Sequence, residues 1–297
     1  MLTSGCQIVI IGCGDIGQRL ARLWQARAQS VVALVRSAAR ARELAAQGLE
    51  VVRGDLDQPD SLHALASAIA PGALIYYLAP PPAEGETDPR VIHFIEALKR
   101  APPVGQIVYL GTSGVYGDSD GAWVDELSPT RPQTARARRR LAAEQALQRA
   151  AEELGLGLTL LRVGGIYGPG RLPEARLRKG LPLLREAECG YSNRIHLVDL
   201  LQVCLACAER PAEGVRIFNV SDNQPGNMTA YFLAVADALA IPHPEQLSLA
   251  EAQQRLSPAM LSYLGESRRL DSRKLQRELG VRLQYPDLAS GLRDLRA

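Results

Sequence analysis

The chain has 297 residues, 46% of them hydrophobic and 22% charged, with a formal net charge of +2. That is room for one large α/β unit and a modest second lobe, and so small a net charge excludes a globally basic binder of nucleic acid or anionic membrane. No apolar run approaches the roughly 18 residues of a membrane span, and Met1-Leu2-Thr3-Ser4-Gly5 lacks the basic start of a signal peptide, so the expected location is cytoplasmic.

Gln7–Ile11 reads as the first strand, followed at once by Gly12-Cys13-Gly14-Asp15-Ile16-Gly17 and a helix over Ile16–Arg27. A GxGxxG in that context has a mechanism. Gly12 allows the tight turn, Gly14 lets backbone approach a pyrophosphate, and Gly17 lets helix and strand pack closely. The peptide N–H groups around Asp15 and Ile16, at the helix start, then face the phosphates. The alternative is a strand-to-helix turn with no ligand.

Val31–Val35 is the second strand, and Arg36-Ser37 follows it. NAD-selective sites place a carboxylate here for the ribose hydroxyls. A guanidinium and a hydroxyl instead suit a 2′-phosphate, so the expected cofactor is NADP, with NAD second. Arg36 is otherwise an ordinary surface arginine. After a helix over Ala38–Gln47 and a strand over Leu49–Val52 comes Gly54-Asp55-Leu56. Asp55 can accept from an adenine amino group while Leu56 packs on the ring, or Asp55 can simply cap a turn.

A helix over Ser61–Ile69 and a strand over Ala73–Leu78 lead to Ala79-Pro80 at the sheet's ligand edge and to Pro80–Glu86, the expected mobile loop. Next come a helix over Pro89–Arg100, a strand over Gln106–Leu110 ending in Thr112-Ser113, a helix over Ala137–Glu153 and a strand over Leu158–Leu161. Five arginines fall between Arg131 and Arg140, at varied helix angles and without interleaved aromatics. They read as a solvated face, not a nucleic-acid surface. Residues 167–194 are rich in Gly and Pro; Val215–Val220 returns to the sheet. From Met228 onward short helices are broken by Pro242, Pro244, Pro258 and Pro286.

Apolar strands alternating with helices predict an α/β fold: a doubly wound parallel Rossmann sheet with a smaller, mostly helical C-terminal substrate-binding cap. The expected boundaries are 1–166 for the NADP-binding domain, with the late strand 215–221, and 167–214 plus 222–297 for the cap. Cys6, Cys13, Cys189, Cys204 and Cys207 are an odd set for a disulfide framework. Cys204 and Cys207 form a lone CxxC on an apolar helix, which reads as core, and no metal site is expected.

Five motifs together resemble the NAD-dependent epimerase/dehydratase family, the extended short-chain dehydrogenases/reductases, in an atypical branch. They are the glycine turn, Gly54-Asp55-Leu56, Thr112-Ser113-Gly114-Val115-Tyr116-Gly117, Leu161-Arg162-Val163-Gly164-Gly165-Ile166-Tyr167-Gly168-Pro169-Gly170, and Arg194-Ile195-His196-Leu197-Val198-Asp199-Leu200. The resemblance implies that Thr112 hydrogen-bonds the reacting oxygen and that a Tyr-x-x-x-Lys pair lies on the next helix. This chain has Arg136 and Arg140 at those places, and no Tyr between Tyr116 and Tyr167.

Arginine stays protonated and offers no acceptor, so it cannot serve as a general base. Arg136 can still stabilise developing negative charge, and Arg140 can bind ribose or phosphate. Tyr116, Tyr167 and His196 are the replacement proton carriers to weigh, each with packing as its alternative. By resemblance Ser113, Tyr167, Arg171, Arg194 and His196 line the substrate side. Relatives pair through the helices around Pro89–Arg100 and Ala137–Glu153, which makes a homodimer the candidate assembly; the arginine-rich start of the second helix weighs against it. The expected activity is an NAD(P)-dependent oxidoreductase or epimerase/dehydratase acting on a carbonyl or carbinol of a small, phosphorylated or sugar-nucleotide-like substrate. The alternative is a non-catalytic NADP(H) sensor that kept the fold.

Overall fold

The structure is a computed structural model that describes residues 5–257, 261 and 264–293. Met1–Ser4 of the N-terminal reading, and Pro258 among the expected helix breakers, lie outside the described residues.

The apolar runs become β1 (Ile8–Ile11), β2 (Val31–Val35), β3 (Glu50–Arg53), β4 (Leu74–Tyr77), β5 (Gln106–Leu110), β6 (Gly157–Val163) and β7 (Val215–Val220). They form one seven-stranded sheet in the order β7-β6-β5-β4-β1-β2-β3. Ile8 stands opposite both Val31 and Leu74, and the pairing from β3 through to β6 is parallel. Every residue of β1, β2, β4 and β6 is buried, because helices cover both faces of a parallel sheet. The crossovers are α1 (Asp15–Gln25), α2 (Ala38–Ala45), α3 (His63–Ala68), α4 (Pro89–Leu98) and α5 (Ala135–Leu154).

Strand order reverses at β1, whose neighbours are β2 and β4, so the ligand crevice of this Rossmann-like α/β fold opens beyond its carboxyl end. Under the sheet Tyr77 packs on Phe94 and Tyr109, at ring-centroid distances of 5.0 and 5.9 Å, in a core that also holds Val9, Ile11 and Leu147. α4 starts cleanly because the Asp88 carboxylate accepts from the Arg90 and Val91 N–H groups and Pro89 occupies the first turn.

By contact the chain resolves into two compact units. The first holds Met1–Thr112, Ala135–Leu161 and Val203–Phe218; the second holds Ser113–Thr134, Arg162–Gln202 and Asn219–Ala297. These limits differ from the expected ones at 113–134, 162–166, 203–214 and 219–221. The cause is tertiary pairing. Cys204 O accepts from Tyr76 Oη at 2.9 Å, and Tyr76 Oη accepts from Trp24 Nε1 at 3.3 Å, so this stretch belongs with the sheet. Cys204 and Cys207 are fully buried there, and burial raises both thiol pKa values. In the second unit Trp123–Val124 pairs in parallel with Arg269–Leu270, nearly 150 residues away.

The second unit carries helices Met228–Ala238, Leu249–Arg255, Arg273–Leu279 and Leu288–Arg293. Asn227 caps the first, and Ser248 with Glu251 forms a capping box on the second. Its core gathers Tyr167, Leu177, Tyr231, Phe232, Val235 and Leu292. Arg194–His196 pairs in parallel with Gly165–Tyr167. Among the described residues no helix is long and apolar enough to cross a membrane.

Candidate functional site

The glycine turn is shaped by three different constraints. Gly12 has φ +92° and stands against the next strand's end: a Cβ would lie 2.6 Å from Ala79 N. A Cβ on Gly17 would lie 3.0 Å from Gly12 O, which keeps α1 tight on the turn. Gly14 is the opposite case. A Cβ there would meet nothing within 4 Å, and Gly14 caps α1 with no side-chain bond. The open space therefore lies at the helix start, where peptide N–H groups and the helix dipole favour an anion. Asp15 turns its carboxylate to Arg19 at 2.8 Å, while Ile16 is buried, so each offers this space its backbone.

A cavity of about 230 Å³ continues from the turn. Gly12, Leu34, Arg36, Gly54, Asp55, Leu56, Ala79, Pro80 and Arg90 line it. It thus brings together six of the residues expected at the cofactor. Arg36 is exposed and has no hydrogen-bond or ion-pair partner among the described residues. Ser37 caps α2, its Oγ accepting from Arg40 N–H at 3.2 Å, which leaves the hydroxyl proton to donate. Asp55 Oδ1 accepts from Asp57 N–H at 3.0 Å, so it closes a turn while lining the cavity.

Two basic residues here escaped sequence reasoning. Arg40 donates from Nη2 to Cys13 O at 3.1 Å, tying α2 to the glycine turn, and pairs with Glu43 at 2.6 Å. Its spacing of four from Arg36, one helical turn on, was the available signal. Arg90 grips both Asp57 carboxylate oxygens, at 2.7 and 2.6 Å, and donates to Pro80 O at 3.0 Å. Those hydrogen bonds hold the Asp57 carboxyl below its usual range. No local pattern links residues 57 and 90. An open helix start, a guanidinium past β2 and an apolar floor at Leu34 and Leu56 fit an adenine dinucleotide.

The basic stretch is not the solvated face it seemed. Arg139 is buried and donates to Gly85 O at 2.6 Å, and Arg138 pairs with Glu86. Together with Arg90 on Pro80 they tie down both ends of the loop expected to be mobile. Arg140 donates to Tyr109 Oη and Leu110 O, both at 3.3 Å, which brings a cation to the carboxyl end of β5. Thr112, half-buried, follows two residues on, and Arg136 is half-buried one turn earlier on α5.

In the second unit the three candidate proton carriers are all buried. Tyr116 is 1% exposed; its Oη donates to Asn219 Oδ1 at 2.7 Å and accepts from Arg162 Nη1 at 3.1 Å. It is a buried post whose hydroxyl is engaged on both sides. Tyr167 is fully buried, donates to Asp287 O at 3.2 Å, and has its phenol pKa raised chiefly by burial. His196 is 2% exposed, its ring 3.9 Å from that of Tyr285, with Nδ1 accepting from Val198 N–H at 3.3 Å. Both are core side chains. Ser113 is buried at the start of a 3-10 turn, and Arg171 is half-buried with its N–H on Gly168 O at 3.0 Å. Arg194 is half-buried with its guanidinium 3.7 Å from the centre of the Tyr231 ring.

Comparison with known proteins agrees with this fold. The profile of the NAD dependent epimerase/dehydratase family matches residues 8–221. A 3-diazoavenalumate denitrifying reductase from a Streptomyces species is 27% identical over 312 residues, spanning 96% of this chain and 99% of the relative. A functionally unknown conserved protein from Silicibacter pomeroyi superposes with a TM-score of 0.81 and 28% identity over 98% of both chains. A Thermus thermophilus UDP-glucose 4-epimerase in complex with NAD superposes at 0.77, covering 97% of this chain and 96% of that one, at 22% identity; it shares the fold.

Proposed function

The chain belongs to the NAD-dependent epimerase/dehydratase family, and from that premise we propose that it is an NADP(H)-dependent reductase of small, electron-poor substrates. The observation that carries this reading is the cavity in which Arg36, with no hydrogen bond or ion pair among the described residues, stands beside Gly12, Asp55 and Leu56. Arg36 and the Ser37 hydroxyl would hold the 2′-phosphate, and the N-terminus of α1 at Gly14 the pyrophosphate.

Bound NADPH supplies a hydride at its dihydronicotinamide. The direction of reaction follows from the arginines. Epimerases and dehydratases begin by oxidising a carbinol, which needs a base. Arg136 and Arg140, aligned with the family's Tyr-x-x-x-Lys pair, accept no proton at neutral pH. Reduction asks less, because the anion left by hydride addition can take its proton from water: the protein need supply only a hydrogen-bond donor to the accepting atom and positive charge where negative charge develops. The Thr112 hydroxyl can donate, and Arg140, anchored on Leu110 O, carries that charge to the end of β5. The reductase name of the Streptomyces relative is consistent with this direction.

The test is a fluorescence titration of purified protein with NADPH and NADH, followed by NADPH oxidation in the presence of aldehydes, quinones and azo or diazo arenes. We expect NADPH to bind at least about tenfold tighter and at least one acceptor to be reduced. Tighter NADH binding would refute the Arg36 argument. NADPH binding without turnover on any acceptor would favour a sensor.

A further inference from the structure

We infer that the second unit carries a subsite for a single carboxylate, formed by Arg194 stacked on Tyr231, which takes a small organic acid and not a nucleotide sugar.

Arg194 is half-buried, yet among the described residues its five N–H donors find only one acceptor, Ser192 Oγ at 3.3 Å. Its flat face lies 3.7 Å from the Tyr231 ring centre, which fixes the plane of the fork. The acid that bears on it electrostatically does not claim it. Asp222 is buried, takes the Gln224 N–H at 2.9 Å, and makes no ion pair with Arg194. Space for the fork is kept by glycine. A Cβ on Gly165, an exposed residue, would stand 3.0 Å from Arg194 Nη1. A planar guanidinium with donors to spare, held by an aromatic face, matches a carboxylate in two-point geometry.

Charge count separates one anion from two. Asp222 and Asp287 bear on each other electrostatically, Asp222 bears on Arg194, and Asp222, Asp199 and Asp287 all bear on Tyr167. Arg194 meets an incoming anion with one positive charge, and Arg293 bears on Asp287. A diphosphate brings more negative charge towards the same acids than a carboxylate does, so they repel it the more strongly.

The experiment measures binding calorimetrically, with cinnamate, cinnamamide and UDP-glucose as probes on the full chain with saturating NADPH. Cinnamate should bind saturably. Cinnamamide should bind at least tenfold more weakly, and UDP-glucose should not displace cinnamate. Arg194→Met should weaken cinnamate at least tenfold, Gly165→Ala severalfold, and neither should alter NADPH affinity. The subsite is overturned by absence of cinnamate binding, by equal affinity for the amide, by an Arg194→Met protein that binds cinnamate as well as wild type, or by UDP-glucose displacing cinnamate. Failure of wild-type protein to bind NADPH, by contrast, strikes the reductase reading alone, because cinnamate and cinnamamide are then compared without cofactor.

Discussion

Replacing Arg36 by alanine should convert a protein that prefers NADPH into one that binds both reduced coenzymes alike. A charge-assisted hydrogen bond contributes about 1.5–3 kcal/mol. Arg36 is exposed, which favours the lower part of that range, so about 2 kcal/mol is the expected loss. At 1.4 kcal/mol per factor of ten, NADPH binding weakens about thirtyfold. NADH, which lacks the phosphate, should change less than about threefold on the same scale. The remaining lining adds to the effect. Asp55 stays in the cavity wall, and Asp57 stays ionised under Arg90 hydrogen bonds. Without Arg36 these carboxylates face the 2′-phosphate with less opposing charge, and Arg36→Asp should reverse the preference outright. Nicotinamide fluorescence, titrated at low and high salt, gives both affinities. The wild-type preference should shrink as salt rises, since the contact is open to solvent. An NADPH-to-NADH ratio that survives Arg36→Ala unchanged would refute the reasoning.

The glycine turn offers a paired test. Gly12→Ala forces a Cβ to 2.6 Å from Ala79 N at φ +92° and should cost about 2–4 kcal/mol in urea unfolding, whereas Gly14→Ala, facing open space, should cost under about 1 kcal/mol yet weaken NADPH at least tenfold. Tyr116→Phe strips a partner from both Asn219 and Arg162 and should destabilise by about 1–3 kcal/mol, with the pH profile of turnover unmoved; a lost kinetic pKa would restore Tyr116 as a proton carrier. Burial pushes the Asp222 carboxyl up to about 7, against the Gln224 N–H and Arg194. The folded state then keeps a proton that the unfolded chain loses near pH 4, so this contribution to stability is full below about pH 4 and declines by about 1.4 kcal/mol per unit as pH rises to about 7. Asp222→Asn should flatten that decline in thermal melts at pH 4–7, and an unchanged slope would contradict the buried acid.

Much of the first unit was legible because its signals are local. Gln106–Leu110 and Val31–Val35 appear as strands at the expected residues, since a strand buried on both faces is a bare apolar run, and Val215–Val220 is a strand at its expected residues too, with only its last half buried. The glycine turn, Arg36 and Leu56 likewise sit next to the strands that present them. The side chains of the second unit were not legible. Tyr116, Tyr167 and His196 looked available because they share motifs with polar neighbours. Their burial is set by Asn219, Asp287 and Tyr285, roughly 90 to 120 residues further along the chain. The same distance hid the use of the arginine run, since Arg138 finds Glu86 and Arg139 finds Gly85 across more than 50 residues.

The amino-acid order alone therefore settled the layered α/β architecture, the dinucleotide turn and the placing of a cation just past β2, because each depends on hydrophobic period, glycine spacing or immediate adjacency. Only the tertiary structure decided which polar groups still face solvent. Tyr116 and Arg194 look alike as polar residues in motifs, yet one has its hydroxyl filled from both sides and the other has donors to spare. That difference comes from partners brought together by folding, and hydrogen-bond satisfaction is a property of the packed chain, not of any stretch of it.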